Sequence, residues 1–211
     1  SFTTKDNRFQ FDLTILKSSN KKTIKDDETK LKKSEVKDFM RKYVVAPEYI
    51  AGKTKDLSFS DFTFLPVIPD PQKIMCIGLN YMEHKKETGR PDVDNPTIFT
   101  RFADSQVAHM QPMIKPDKSD RFDYEAEMAI IIGKGGRFIT ESESLNHIAG
   151  YACYNDGSVR NYQRHTSQYT PGKTFPGTGG FGPYMVTPDE VGDYTKLPIE
   201  LRLNGKVMQK A

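Results

Sequence analysis

Residues 122–138 read FDYEAEMAIIIGKGGRF. Charged and apolar positions alternate, then run into Ile130, Ile131 and Ile132 and end in a glycine-rich turn. That pattern predicts a strand over 123–133 followed by a tight turn, so the chain must supply a sheet to receive it. Strand alternation also puts Glu125 and Glu127 on one face. Two carboxylates that close repel each other, and burial raises their pKa. A bound cation, a neighbouring Lys or Arg, or exposure to water would each relieve the repulsion.

The rest of the chain sorts around that strand. Residues 1–70 read as a small N-terminal domain or arm, with a short strand in FQFDLTILK and a helix in DETKLKKSEVKDFMRKYV. Lys17 to Lys42 holds ten basic and five acidic residues. The mixture of signs and the lack of interleaved aromatics favour a solvated helix face over a nucleic-acid patch. LPVIPDPQ, with prolines at 66, 69 and 71, reads as a linker or boundary. Beyond it come strands in KIMCIG and PTIFTRF, and a short helix in NYMEHKKETG. Thr140 followed by Glu143 has the spacing of a capping box, which predicts a helix stopping near Gly150 and then a strand to Asp156.

Composition excludes several classes. The net charge of +3 in 211 residues gives no general affinity for nucleic acid. No apolar run approaches the roughly 18 residues of a membrane helix. Cys76 and Cys153 sit in apolar contexts, lack zinc spacing and read as free thiols.

Three constellations carry chemistry. Glu125, Glu127 and Asp156 form an oxygen-only donor set on strands, which suits Mg²⁺, Mn²⁺ or Ca²⁺ better than zinc; an exposed polar face is the plainer reading of the same spacing. His84 and Glu87 stand at i and i+3, where a carboxylate orients an imidazole for general-base work, or where both simply belong to a polar helical turn. Gly177 to Gly182 match G-x-G-x-x-G, but Pro183 follows at once where a dinucleotide fingerprint would open a helix, so that reading is rejected. Lys173 precedes this loop as a candidate cationic ligand. His109 and His147 read as non-ligands, and His165, in VRNYQRHTSQ, is the histidine best placed to approach a ligand on a flexible lid.

Taken in order, KIMCIGLNYMEH, PTIFTRF, DYEAEMAIIIGKGGRFI, IAGYACYNDGSVRNYQ, GKTFPGTGGFGPYMVTPDEVGD and LRLNGKVMQ resemble the fumarylacetoacetate hydrolase family. The resemblance implies an α+β, β-rich mixed-sheet roll over 71–211, beside the small N-terminal domain. It also implies a fold lacking its last C-terminal strands, since the family continues past the point where this chain reaches Ala211. The implied metal ligands are Glu125, Glu127 and Asp156, and the implied catalytic residues are His84, Glu87 and Lys173. Arg101, Arg160 and Gln163 fall on substrate-binding positions. Three departures stand out: Arg101 where Lys is common, Asn161 where Asp is frequent, and KTFPGTGGFGP in place of KSFDTF.

The implied activity is Mg²⁺-dependent cleavage of a C–C bond in a small 2,4-dioxo acid of the acylpyruvate type, through a metal-stabilised enolate, with Mn²⁺ or Ca²⁺ as alternative ions. Isomerisation, decarboxylation or hydration of 2-oxo-enoates, and oxaloacetate decarboxylation, are the alternatives. A catalytically dead binding or assembly module is the reading from another class. The implied partners are a small 2-oxo acid and a second copy in a homodimer, with no nucleic acid and no membrane. The implied setting is cytoplasmic, with mitochondria the alternative.

Overall fold

The computed structural model describes residues 63–81 and 94–211, and the backbone of Phe11–Ile15. The expected helices at 27–44 and 80–89 fall wholly or mostly outside these residues, as do His84 and Glu87.

The central element is β7 (Ile148–Asp156), whose residues from Gly150 onward are nearly all buried. On one side it pairs antiparallel with β6 (Ala126–Ile132), from Ala126↔Asn155 to Ile131↔Gly150. On the other it pairs with β9 (Gly179–Phe181), which runs parallel to β4 (Gln106–Ala108). The sheet order is therefore β4-β9-β7-β6, a mixed sheet. Register and alternation place Glu127, Ala129 and Ile131 opposite Tyr154, Ala152 and Gly150 on one face. Val67, Ala152, Tyr154 and Phe181 form the core against that face, with Ile68, Ala129, Ile131 and Met185 packed around them. Ile130 and Ile132 point the other way and are exposed. The segment around Pro66 does more than link: Val67 is itself part of the core.

Smaller sheets flank this one. β2 (Ile74–Gly78) pairs antiparallel with β3 (Thr97–Arg101), bringing Ile74 opposite Arg101. β5 (Phe122–Asp123) pairs with β8 (Ser158–Val159). β10 (Ile199–Leu203) joins β11 (Lys206–Lys210) and β1 (Phe11–Ile15) in a third antiparallel sheet, anchored by fully buried Leu201.

Three expectations are corrected. The strand predicted over 123–133 is broken: Asp123 pairs in β5, Tyr124 and Glu125 lie between strands, and β6 starts at Ala126. Thr140 occupies the N-cap position of the Glu141–Ser144 turn but makes no side-chain cap; its hydroxyl contacts Ser142 instead. The helix does not reach Gly150, because a 3-10 turn at Leu145–His147 hands over to β7 at Ile148, where pairing with β6 outweighs the local helical signal. Cys76 and Cys153 form no disulfide with each other, as expected. Gly179–Phe181 is a sheet strand, consistent with rejecting a dinucleotide loop. Among the described residues no helix is long and apolar enough to cross a membrane.

Candidate metal and substrate site

The site forms where β7 ends. Asp156 follows Ala152 and Tyr154 by strand periodicity, so it projects from the core face. Glu127 projects from that same face of β6. Glu125 precedes the strand, yet its carbonyl accepts the Asp156 N–H at 2.9 Å and its own N–H donates to Asn155 Oδ1. The backbone thus carries Glu125 alongside Asp156 even though the regular strand has stopped.

Lys173 joins these carboxylates. It ends the helical turn Thr170–Lys173, started by Pro171 in the first turn. Its Nζ lies 2.6 Å from Glu125 Oε2 and 2.7 Å from Asp156 Oδ2, with its side chain only 2% exposed. The same ammonium lies 5.1 Å from the centre of the Phe99 ring. Gly172 lets this turn dock, because any Cβ there would collide with the backbone of Gln163.

Arg160 flanks the cluster from the turn Arg160–Gln163. It donates to Asp123 Oδ2 at 2.8 Å, Glu125 Oε1 at 2.6 Å and Gln163 Oε1 at 2.9 Å. Its side chain is 20% exposed. Arg160, Asp123 and Arg164 also line an open cavity of about 340 Å³ together with Asp120, Arg121 and Phe122.

Arg101 behaves differently from the expectation of a substrate ligand. Its side chain is fully buried, and its guanidinium donates to Asp156 Oδ1 at 2.5 Å, the Gly157 carbonyl at 3.1 Å, Ser105 Oγ at 3.2 Å and Thr178 Oγ1 at 2.8 Å.

Asp123, Glu125 and Asp156 pair with Arg101, Arg160 and Lys173, three carboxylates against three cations, and Glu127 is the fourth carboxyl of the cluster. Burial works to raise the Glu125 carboxyl, but Lys173 and Arg160 outweigh it and hold it below the ordinary carboxylate range. Glu127 has no such ion pair among the described residues. Burial, then Glu125 and Asp156, push its carboxyl up to about 8, while Lys173 and a hydrogen bond with Tyr81 oppose the shift. Burial and then Glu127 raise the Tyr81 phenol in turn. Cys76 is pushed up to about 12 by burial and by Asp156, so it remains a thiol.

The structure brings together Glu125, Glu127, Asp156, Lys173, Arg101, Arg160 and Gln163. His165 is exposed and packs against Tyr162 with ring centres 4.8 Å apart and planes tilted by 39°, and His147 bonds the Lys134 carbonyl. Sequence reasoning missed Asp123, although Asp123, Glu125 and Glu127 extend the two-residue spacing one step upstream. It also missed Tyr81 and Thr178, whose partners Glu127 and Arg101 are distant in sequence, and Ser105, which meets Arg101 only four residues away but through the turn that follows β3.

Among the described residues no group of three His, Cys, Asp or Glu side chains stands preassembled in ligating geometry. Lys173 draws two of the three carboxylates together, and the third, Glu127, is buried beside them with its carboxyl raised by that burial and by its acidic neighbours. An all-oxygen donor set in which one carboxyl gains a counter-charge only from an added cation fits a hard divalent ion.

Residues 73–211 match the family model described as fumarylacetoacetate (FAA) hydrolase C-terminal. The chain belongs to the fumarylacetoacetate hydrolase family. This family member is 38% identical over 167 residues to human mitochondrial oxaloacetate tautomerase FAHD2A, covering 78% of this chain and 53% of the relative. Among solved structures it resembles a fumarylacetoacetate hydrolase from psychrophilic Exiguobacterium antarcticum, with a TM-score of 0.62 and 34% identity over 70% of this chain and 53% of that one. It also resembles fumarylpyruvate hydrolase from Pseudomonas aeruginosa in complex with Mn²⁺ and pyruvate, with a TM-score of 0.61 and 28% identity over 66% and 64% of the two chains. The chain spans about half the length of the curated relatives it matches. The α+β, β-rich fold expected from the motifs is the fold of these neighbours.

Proposed function

We propose that the whole protein is a divalent-metal-dependent enzyme that converts a small 2-oxo acid through its enolate. The observation that carries this reading is Lys173, buried and shared between Glu125 and Asp156 beside the raised carboxyl of Glu127. Glu125, Glu127 and Asp156 would hold the ion, with Mg²⁺ or Mn²⁺ suited to them. When bound, such an ion polarises the 2-oxo group and balances the charge that develops on the enolate oxygen.

The chain's own residues do the remaining work. Lys173 stabilises negative charge on whatever enters between Glu125 and Asp156. Arg160 is partly exposed at the mouth of the cluster and has Gln163 beside it, so it is placed to receive a substrate carboxylate. His84, which the sequence sets three residues before Glu87, would move a proton: from the carbon next to the 2-oxo group in tautomerisation, or from water in C–C hydrolysis.

Keto–enol isomerisation of an oxaloacetate-type diacid is the first reading, supported by 38% identity to a named oxaloacetate tautomerase. Cleavage of a 2,4-dioxo acid is the second, supported by the likeness to a fumarylpyruvate hydrolase and by the H-x-x-E spacing of His84 and Glu87. NMR of the intact protein with oxaloacetate or an acylpyruvate, in Mg²⁺, Mn²⁺ or EDTA, separates them. Metal-dependent enol–keto exchange of oxaloacetate supports the first. Pyruvate plus a matching acid, lost in His84→Gln, supports the second. An intact protein that binds no divalent ion and turns over neither substrate refutes both.

A further inference from the structure

We infer that Arg101 is a positioning residue for the metal site, clamping Asp156 to the glycine-rich loop that follows Lys173. The inference rests on the reading of Glu125, Glu127 and Asp156 as cation ligands. Arg101 leaves β3 with its side chain fully buried, so incoming substrate does not reach it. Its planar fork instead joins three separate segments. One arm holds Asp156 Oδ1 and the adjacent Gly157 carbonyl. The other donates to Thr178 Oγ1, which itself donates to the Phe175 carbonyl at 2.7 Å. Nε donates to Ser105 Oγ, whose hydroxyl donates to the Phe102 carbonyl.

Ser105 and Thr178 are fully buried, so each hydroxyl is fixed by bonds at both ends. The result is a rigid frame that takes one Asp156 oxygen and leaves Oδ2 directed at Lys173. A lysine at 101 could neutralise Asp156 but could not span Asp156, Ser105 and Thr178 at once, because its ammonium is a single point on a flexible stem. Gly179 belongs to the same device. A Cβ there would strike the Tyr154 hydroxyl and the Arg101 guanidinium, so the loop carries glycine where the fork passes.

Calorimetric titration of Mn²⁺ into the intact protein and three variants tests this. Partners that orient metal ligands typically change affinity about 10- to 100-fold. Arg101→Met is expected to weaken Mn²⁺ binding within that range, and Thr178→Val, which touches no carboxylate, about 10-fold. Arg101→Lys keeps the charge without the fork and is expected to fall between wild type and Arg101→Met. A merely architectural role would lower the melting temperature of the metal-free variants and leave the affinity of the folded protein unchanged. Wild-type affinity in Arg101→Lys, or in Thr178→Val should Arg101→Met fail to fold, overturns the clamp. Wild-type protein that binds no Mn²⁺ overturns the metal reading itself, before any variant matters.

Discussion

Lys173→Met removes the ammonium and keeps most of the stem. In the folded protein the Lys173 and Asp156 side chains are only 2% and 5% exposed, and Glu125 is 17% exposed. Breaking a buried ion pair from one side costs about 3–5 kcal/mol, chiefly because a charge is left without compensation. Arg101 still faces Asp156 and Arg160 still faces Glu125, so the lower end, about 3 kcal/mol, is the expected loss. For a chain of this size, 1 kcal/mol corresponds to about 2–4 °C, so the melting temperature should fall by about 6–12 °C in EDTA. Saturating Mn²⁺ should then return more stability to the variant than to wild type, because the ion supplies positive charge to Glu125 and Asp156 after the ammonium is gone. Urea and thermal denaturation, each with EDTA and with Mn²⁺, measure both effects. A loss under about 1 kcal/mol, the range of exposed ion pairs, would refute the reasoning by showing that water already screens the cluster. A variant that Mn²⁺ does not rescue would refute the assignment of the carboxylates as its ligands.

Metal-free protein should lose stability as pH rises from about 4.5 to about 8. Over that window folded Glu127 keeps a proton that the unfolded chain releases, and the contribution present below 4.5 is gone above 8. Glu127→Gln should flatten this slope in urea titrations at several pH values, and an unchanged slope would assign it elsewhere. Gly172→Ala should cost about 1–3 kcal/mol in urea denaturation, since the added methyl overpacks against the Gln163 backbone. Leu201→Ala, at a fully buried position in β10, should cost about 2–5 kcal/mol in the same assay.

Much of this was legible in the chain alone. The alternation ending in Ile130–Ile132 marked β6, and IAGYACYND marked the strand that carries Asp156. The cation relieving Glu125 was harder to read, because Lys173 is 48 residues away and its burial depends on a docked turn. Arg101 was legible as a site residue but not in its role. A sequence shows that an arginine is present; only the packed sheet shows that its donors are already taken. The break at Tyr124–Glu125 was invisible for a similar reason, since β5 leaves to pair with β8 rather than with β7. The capping-box signal failed at Thr140 because the neighbouring β6–β7 ladder, from Ala126 to Ile132, claims the chain directly after one helical turn.

Three of the bonds that hold the cluster link residues 48, 55 and 77 positions apart. Those three cannot close until loops of that length have closed, and such distant pairings form late on the way to the native state. While the chain is open, the acidic groups before and within β6 and at the end of β7 stay hydrated and do not resist collapse. Their repulsion arises only as the last water leaves, at the moment the buried lysine and arginine arrive. Interactions made after the rate-limiting barrier govern how fast a protein comes apart rather than how fast it assembles. Weakening this ionic knot should therefore shorten the lifetime of the folded chain while leaving its refolding rate nearly untouched.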